Sequence, residues 1–327
     1  MIMEDQPKKI RKRRRRKKKM PVWLKVLITC FLLFIIAGAA FAGFTFYKLN
    51  QLSTSINEGT EERQASKLRR EDVNVDKKDP ISIALFGIDS DESRDGLGER
   101  SDSIILLSVN PNTDKTVMVS VPRDTRAEIV GNGTVEKINH AYAIGGPSMA
   151  KDSLENLMDV PIDHYVSINM DGLKDLIDIV GGVTVTSNAT FTVRGNSYVE
   201  GLPYDMDGTE ALAFTRSRYE EGSGGDFGRQ DRQQLVVEAL GQKLLSVGSI
   251  TRINSIVDTL GYNVKTDLTM ADIQDIGTKY NGARRNVERL QLDGSGEILD
   301  DNLWYFFPNE ESLEEVKRKY RENLEID

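Results

Sequence analysis

Residues 81–121 read ISIALFGIDSDESRDGLGERSDSIILLSVNPNTDKTVMVSV. Three apolar runs lie in this stretch: Ile81–Ile88, Ser103–Val109 and Thr116–Val121. Each is short, holds β-branched residues and is bounded by charged or turn-forming positions, which predicts strands. The first two are almost continuously apolar rather than alternating. That pattern belongs to strands covered on both faces.

Downstream the periodicity alternates between two and 3.6. It predicts strands at His164–Asn169, Val183–Thr186, Val287–Leu292 and Leu303–Phe307. It predicts helices at Pro147–Met158, Asp171–Val180, Asp207–Thr215, Arg229–Val247, Ser249–Leu260, Met270–Tyr280 and Glu310–Leu324. Strands and helices interleaved in this way give an α/β fold: a central mixed sheet with helices on both faces. Leu173, Leu176, Ile177 and Val180 mark one helix side, and Val236, Leu240, Leu244 and Val247 another. Such stripes are more often ordinary core than the wall of a lipid pocket.

Upstream the character changes. Val26–Tyr47 is an uncharged run of 22 residues, long enough to span about 33 Å as a helix. A signal-peptide core would be shorter, roughly 7–15 residues, although AFAG near its end resembles a cleavage site. Before it stands KKIRKRRRRKKK (Lys8–Lys19), eleven basic residues in twelve. Positive charge beside a span places the N-terminus in the cytoplasm and the rest outside, and it also suits anionic membrane lipid. The expected layout is a basic tail at 1–25, a transmembrane helix at 26–47, a polar stalk at 48–80 and an extracytoplasmic domain at 81–327. No helix-turn-helix, zinc or RNA-binding pattern accompanies the basic run, so no nucleic-acid partner is expected.

Charge and rare residues narrow the chemistry. The chain totals −8, but residues 1–25 carry +10, which leaves −18 for the remainder. The single cysteine, Cys30, lies in the apolar run, so neither an internal disulfide nor a cysteine zinc site is available. His140 and His164 are too few for a multi-histidine metal site, and no G-x-S-x-G surrounds a serine.

Two carboxylates lie at strand ends. Asp89 follows the first strand, Asp102 precedes the second, and twelve residues separate them. Facing each other at one sheet edge, they suit a hard divalent cation with phosphate ligands. Taken singly, an Asp beside a turn is more often solvated or capping. Arginines gather in similar places: Arg100, Arg123, the pair Arg216 and Arg218 in TRSRY, and Arg229 and Arg232 in GDFGRQDRQ. If TRSRY is extended, its two arginines share a face. Arg229 is expected to begin a helix with Gln233 one turn on, while Arg232 is expected to face elsewhere. A helix start with free N–H groups and an arginine binds anions. Surface ion pairing is the plainer reading of each arginine alone. Gly222-Ser223-Gly224-Gly225 reads as a mobile loop.

Taken together, LFGID, RSD, SVPRDT, KINHAYAIGG, DGTEALAFTRSR and GDFGRQDRQ resemble, in order, the LytR-CpsA-Psr family of bacterial cell-wall enzymes. The resemblance spans roughly Ile81 to Val247 and is greatest to the teichoic acid transferase branch of Gram-positive bacteria. It implies transfer of an anionic glycopolymer, as a sugar 1-phosphate, from a polyprenyl-pyrophosphate carrier to a muramic acid hydroxyl of peptidoglycan. It implies Mg²⁺ on Asp89 and Asp102, and pyrophosphate on Arg100, Arg123, Arg216, Arg218, Arg229 and Gln233. Asp226 matches an acid of that site and is the candidate general base. The family fold, an α/β sandwich with a lipid pocket, agrees with the alternation above. Two departures stand out: Glu99 replaces a common glycine, and the loop before Asp226 lacks a common proline. A pyrophosphatase acting on the same lipid, a non-catalytic scaffold and a transcriptional regulator are the rival readings. The outward domain argues against the last, and paired acids argue against the scaffold.

Overall fold

Ile81–Asp89 (β1), Arg100–Asn110 (β2) and Lys115–Ser120 (β3) form the centre of a six-stranded sheet in the computed structural model. The described residues are 66–69, 71–89, 99–246 and 263–326. The basic tail, the apolar run 26–47, most of the expected stalk and the expected helix 249–260 lie outside them. Among the described residues no helix is long and apolar enough to cross a membrane.

The sheet order is β11-β6-β1-β2-β3-β12, where β6 is His164–Asn169, β11 is Val264–Thr266 and β12 is Val287–Gln291. β2 runs antiparallel to β1 and β3, while β6 is parallel to β1 and β12 to β3. β11 runs antiparallel to β6. The sheet is therefore mixed, as expected.

Its near-continuous apolar runs are used on both faces. Ala84, Phe86, Ile104, Leu106, Val117 and Val119 join one core with α1 (His140–Met158) and α6 (Glu310–Asn323) through Leu154, Met158, Val316 and Tyr320. Ile83, Leu85, Leu107 and Val109 point the other way, to Val75, Ile276 and Tyr280 beside α5 (Met270–Lys279). Phe86 is fully buried, so truncating it to Ala would cost about 3–5 kcal/mol. Helix α1 is kinked at Gly145 and at Gly146, where φ is 64°, and its regular stretch restarts at Pro147, the predicted start.

A second apolar cluster joins α2 (Met170–Ile179), α3 (Gly208–Arg216) and α4 (Gly225–Ser246). Beneath them lie β7 (Val183–Thr186) paired with β10 (Pro203–Met206), and the hairpin β8 (Phe191–Val193) with β9 (Asn196–Tyr198). The hairpins β4 (Arg126–Ile129) with β5 (Thr134–Lys137) and β13 (Gly294–Ile298) with β14 (Trp304–Pro308) complete the fold.

Residues 66–69 and 71–80, read as the end of a stalk, are docked on the domain. Arg69 Nε and Nη2 donate to the two oxygens of Asp163 at 3.0 and 2.6 Å, and the Tyr280 hydroxyl donates to Asp79 O at 2.6 Å. Asp163 also accepts from Ser82 N at 2.7 Å, which ties this segment to the first residues of β1.

Candidate functional site

Strand direction gathers the site at one sheet edge. β1, β3, β6 and β12 all end there, and β2 begins there, as the pairs Asp89↔Arg100, Ile88↔Asn169 and Gln291↔Ser120 show. Loops after parallel strand ends are where α/β sheets hold ligands. The β1–β2 register slips at this edge: Gly87 pairs with Ser103, but Ile88 pairs with Ser101. Asp102 is the extra residue of that bulge, a device that re-aims a side chain. Gly87 permits the close approach, since a Cβ there would lie 2.9 Å from that of Ser103.

Asp89 and Asp102 line one cavity of about 160 Å³ together with Arg123, Arg216, Arg229, Gln233, Met170 and Thr215. Six of the residues singled out in the sequence thus share one small space. Arg123, just past β3, places Nη1 2.9 Å from Asp102 Oδ2 and Nε 3.5 Å from Asp124 Oδ2. Burial alone would lower its pKa, but Asp102 and Asp124 outweigh that and hold it raised.

TRSRY is not extended, contrary to the condition set on it. Helix α3 starts from a capping box between Asp207 and Glu210 and continues through Arg216 before turning at Ser217. The two arginines diverge in task. Arg216 lines the cavity and also a neighbouring one of about 170 Å³. Arg218 Nε lies 3.3 Å from Asp226 Oδ1. Arg100 sits opposite Asp89 at the sheet edge but is not part of the cavity wall. Glu99, the departure noted above, lies 3.8 Å from Lys265 Nζ.

Helix α4 starts at Gly225, four residues before the predicted start at Arg229. Gly224 and Gly225, with φ of 79° and 65°, make the turn, and Asp226 supplies a negative charge in the first turn, where the helix dipole favours it. Arg229 is therefore inside the helix rather than at its tip, yet it and Gln233 line the same cavity one turn apart, as expected. Asp226 Oδ1 holds Arg229 Nη2 at 2.6 Å, and Asp226 Oδ2 accepts from Gln230 Nε2 at 3.0 Å. The Arg229 Nε is buried with no hydrogen-bond partner among the described residues. Burial lowers the Arg229 pKa; Asp226 opposes this, and Arg123 and Arg218 add to it. Gln233 accepts from the Ser103 hydroxyl at 2.9 Å.

Arg232 does not line the cavity, as expected, but the task it has instead was not read from the sequence. It is fully buried. Its Nε donates to Phe214 O at 3.0 Å, Nη2 to Ser217 O at 2.6 Å, and Nη1 to Ser223 O at 2.7 Å and Asn188 Oδ1 at 3.2 Å. Its guanidinium centre lies 4.8 Å from the Phe191 ring and 5.8 Å from that of Phe214. Burial pulls its pKa down to about 10, so it stays charged at neutral pH. It pins both ends of residues 217–223, the segment read as partly a mobile loop, and so sets where Arg218 stands. The signal was present: Arg232 lies one turn before Val236 and two before Leu240, on the stripe that is buried.

The LytR_cpsA_psr family pattern matches residues 43–322. The chain belongs to this LytR-CpsA-Psr family. Among its relatives, a Bacillus subtilis protein named polyisoprenyl-teichoic acid–peptidoglycan teichoic acid transferase TagU is 38% identical over 96% of this chain and 99% of its own length. The protein of that name from Halalkalibacterium halodurans is 40% identical over 92% of this chain and 99% of its own. The crystal structure of B. subtilis TagU matches with a TM-score of 0.62 at 38% identity, covering 76% of this chain and 99% of that one. A structure of TagT bound to LIIa-WTA matches with a TM-score of 0.68 at 27% identity, over 83% and 100%. The mixed α/β sandwich of the family is the fold described above.

Among the described residues no cluster of three or more His, Cys, Asp or Glu side chains could hold a metal by itself. Asp89 and Asp102 are two carboxylates on one cavity. Mg²⁺ commonly takes one or two carboxylates and completes its shell with phosphate oxygens and water, so this pair fits an ion brought together with a phosphorylated substrate.

Proposed function

We propose that this chain transfers an anionic cell-wall glycopolymer of the wall teichoic acid class from a polyprenyl-pyrophosphate carrier to a muramic acid hydroxyl of peptidoglycan. The observation that carries the reading is the single cavity in which two carboxylates, three arginines and a glutamine converge. Such a set matches a pyrophosphate with a divalent cation far better than it matches a neutral ligand. The names of relatives that align over nearly their whole length supply the polymer and the acceptor.

In this scheme Arg123, Arg216, Arg229 and Gln233 bind and orient the pyrophosphate, and Arg218 acts beside them through its pairing with Asp226. Mg²⁺ on Asp89 and Asp102 would supply charge neutralisation of the phosphates. The acceptor hydroxyl oxygen attacks the sugar-side phosphorus. A new P–O bond forms, the P–O bond to the bridging oxygen breaks, and polyprenyl phosphate leaves. The arginines stabilise the charge that develops on that leaving group. The pyrophosphate bond already stores the driving force, so no nucleotide is required. The hydroxyl proton needs an acceptor, and Asp226 is the proposed one. Its carboxylate is engaged by Arg229, Arg218 and Gln230. A pyrophosphate that draws the two guanidiniums toward itself would release Asp226 for that role. The carrier's isoprenoid chain is assigned to the side of Met170, the apolar residue of the cavity wall.

The basic run followed by an apolar run supports a cell-membrane protein with its N-terminus in the cytoplasm and its large domain outside. Protease added to wall-less cells should then remove the domain and spare the tail. The activity is tested by incubating the purified full-length chain with Mg²⁺, lipid-linked polymer precursor and peptidoglycan oligomers, followed by mass spectrometry. The expected product is polymer joined to peptidoglycan through a phosphodiester. Free polymer phosphate formed with acceptor present would make the enzyme a pyrophosphatase, and unchanged precursor would make it a binding scaffold.

A further inference from the structure

The edge strand β12 ends at the same sheet edge as the cavity, and the hairpin β13–β14 follows it directly. All five residues of β13 are exposed. Two of them are glycines, and each has an aromatic ring from β14 laid over it. A Cβ at Gly296 would run into the Trp304 indole, and one at Gly294 into the Phe306 ring. Trp304 is nonetheless 45% exposed, so the face of the indole turned away from Gly296 is open to solvent. The indole is held flat by the absence of a side chain beneath it, which leaves a rigid apolar surface that needs no ordering on binding.

The hairpin is joined to the site's surroundings through the buried Phe306, whose N–H donates to Asp124 O at 2.9 Å beside Arg123. The Phe306 ring contacts that of Phe227 at 6.3 Å, and Phe227 follows Asp226 in the first turn of α4 and is itself exposed. On the other side, Ile298 is the cross-strand partner of Trp304 and is 65% exposed. Along the hairpin segment itself the charge is of one sign, while Lys137 Nζ lies 5.8 Å from the ring of Tyr305, next to Trp304 in the chain. Residues 292–304 hold Asp293, Glu297, Asp300 and Asp301 and no Lys or Arg.

We propose that the Trp304 platform is a saccharide subsite that stacks on a pyranose ring of the acceptor glycan strand and thereby positions the strand beside the cavity. An indole face stacks on the C–H face of a sugar, and nearby carboxylates accept its hydroxyls. The same carboxylates repel a phosphate-rich polymer or an anionic lipid headgroup, so the donor polymer and the membrane are disfavoured occupants. The assignment to the acceptor rests on the transferase reading above; the binding of a neutral sugar strand does not.

The test uses the full-length chain in nanodiscs with Trp23→Phe as background, so that emission comes from Trp304, the second of the chain's two tryptophans. Titration with a neutral β-1,4-linked N-acetylglucosamine tetramer should give a saturable change in emission. In transfer assays Trp304→Ala should raise KM for peptidoglycan oligomers about tenfold while leaving kcat and the donor KM within about twofold of the parent. Trp304→Phe should recover most of the loss, and Gly296→Val, which displaces the ring, should reproduce the Ala variant. An emission change with anionic vesicles but not with the tetramer would make the hairpin a membrane contact and overturn the proposal. A change with protein concentration alone would make it a self-association surface and overturn it equally. An unchanged acceptor KM in Trp304→Ala would remove the positioning role. Saturable tetramer binding in a chain that transfers nothing would sustain the saccharide subsite and sink the transferase reading instead.

Discussion

Replacing Arg232 with Ala should be the most destabilising single arginine change in the domain, and its size follows from the contacts. The substitution leaves the carbonyls of Phe214, Ser217 and Ser223 and the Asn188 side-chain oxygen without their donor, in a place closed to water. Each buried acceptor left unpaired costs about 1–3 kcal/mol, but neighbouring groups relax, and breaking a buried charged network by removing one partner typically costs about 3–5 kcal/mol in total. Against a whole-domain stability of roughly 5–15 kcal/mol this is a fifth or more. The expected result is a loss of about 3–5 kcal/mol by urea unfolding, followed by far-UV circular dichroism on the solubilised chain. Arg232→Lys should recover only part, because an ammonium cannot present the planar fork that reaches three separate carbonyls. Arg232→Met tests the packing against Phe191 and Phe214 without the donors. Under conditions where the Lys variant is fully folded, its transfer rate should still fall, since the Ser217 and Ser223 carbonyls that Arg232 holds bracket the segment carrying Arg218. An Ala variant that unfolds together with the parent would refute the clamp. A folded Lys variant with parental rate would confine Arg232 to stability.

Three further outcomes are expected. Asp89→Asn and Asp102→Asn should each abolish Mg²⁺-dependent transfer with thermal unfolding nearly unchanged; parental activity in both would remove them from the metal site. Arg229→Ala should slow transfer about 10²–10³-fold, as loss of a donor to developing charge does, and Arg229→Lys should restore part of it; a parental rate at equal stability would end its assignment to the pyrophosphate. Asp267 is pushed up by burial but drawn below its ordinary 3.8 by His164, with Lys151 and Tyr165 N also contributing. Its stabilising effect is present above that ordinary value and is lost as pH falls through the depressed one, so Asp267→Asn should flatten the acid limb of a stability–pH curve; an unchanged limb would show that other carboxylates set it.

The sheet was legible because its strands are buried on both faces, which writes hydrophobicity into consecutive residues rather than alternate ones. The small hairpins were not. β8 and β9 are three residues each, and β13 is Gly-Ser-Gly-Glu-Ile, with no apolar alternation to read. The start of α4 was misplaced because Gly224-Gly225 reads as a breaker, whereas here the pair makes the turn into the helix and Asp226 stabilises its first turn. Asp89 and Asp102 were found by their places at strand ends, but the bulge that makes Asp102 the extra residue depends on the register with β1, which no local pattern encodes. Arg232 was read as facing away from Arg229 but not as buried, because a charged residue is expected outside. Its spacing to Val236 placed it inside, and the four acceptors that justify a buried charge come from residues 188, 214, 217 and 223, remote in sequence.

The pairing inside the cavity bears on how its ligands bind. In the structure the acids hold the arginines: Asp102 holds Arg123, and Asp226 holds Arg229 and Arg218. A pyrophosphate entering alone would set several negative charges against Asp89, Asp102 and Asp226. A divalent cation entering alone would face Arg123, Arg216 and Arg229. When both enter, the carboxylates turn to the cation and the guanidiniums to the phosphates, and each charge keeps a partner of opposite sign. Binding of the two should therefore be strongly and mutually favourable, and linkage requires the two enhancements to be equal. Calorimetric titration of the full-length chain with a non-reactive polyprenyl-diphosphate analogue, with and without saturating Mg²⁺, reads one side of that equality. Titration with Mg²⁺, with and without the analogue, reads the other. A tenfold or larger enhancement, the same in both directions, is expected, and Asp102→Asn should reduce it while leaving metal-free analogue binding equal or tighter, because Arg123 is then released. Analogue affinity that ignores Mg²⁺ would mean that the two carboxylates do not share the ion with the phosphates, and the exchange of partners would be wrong.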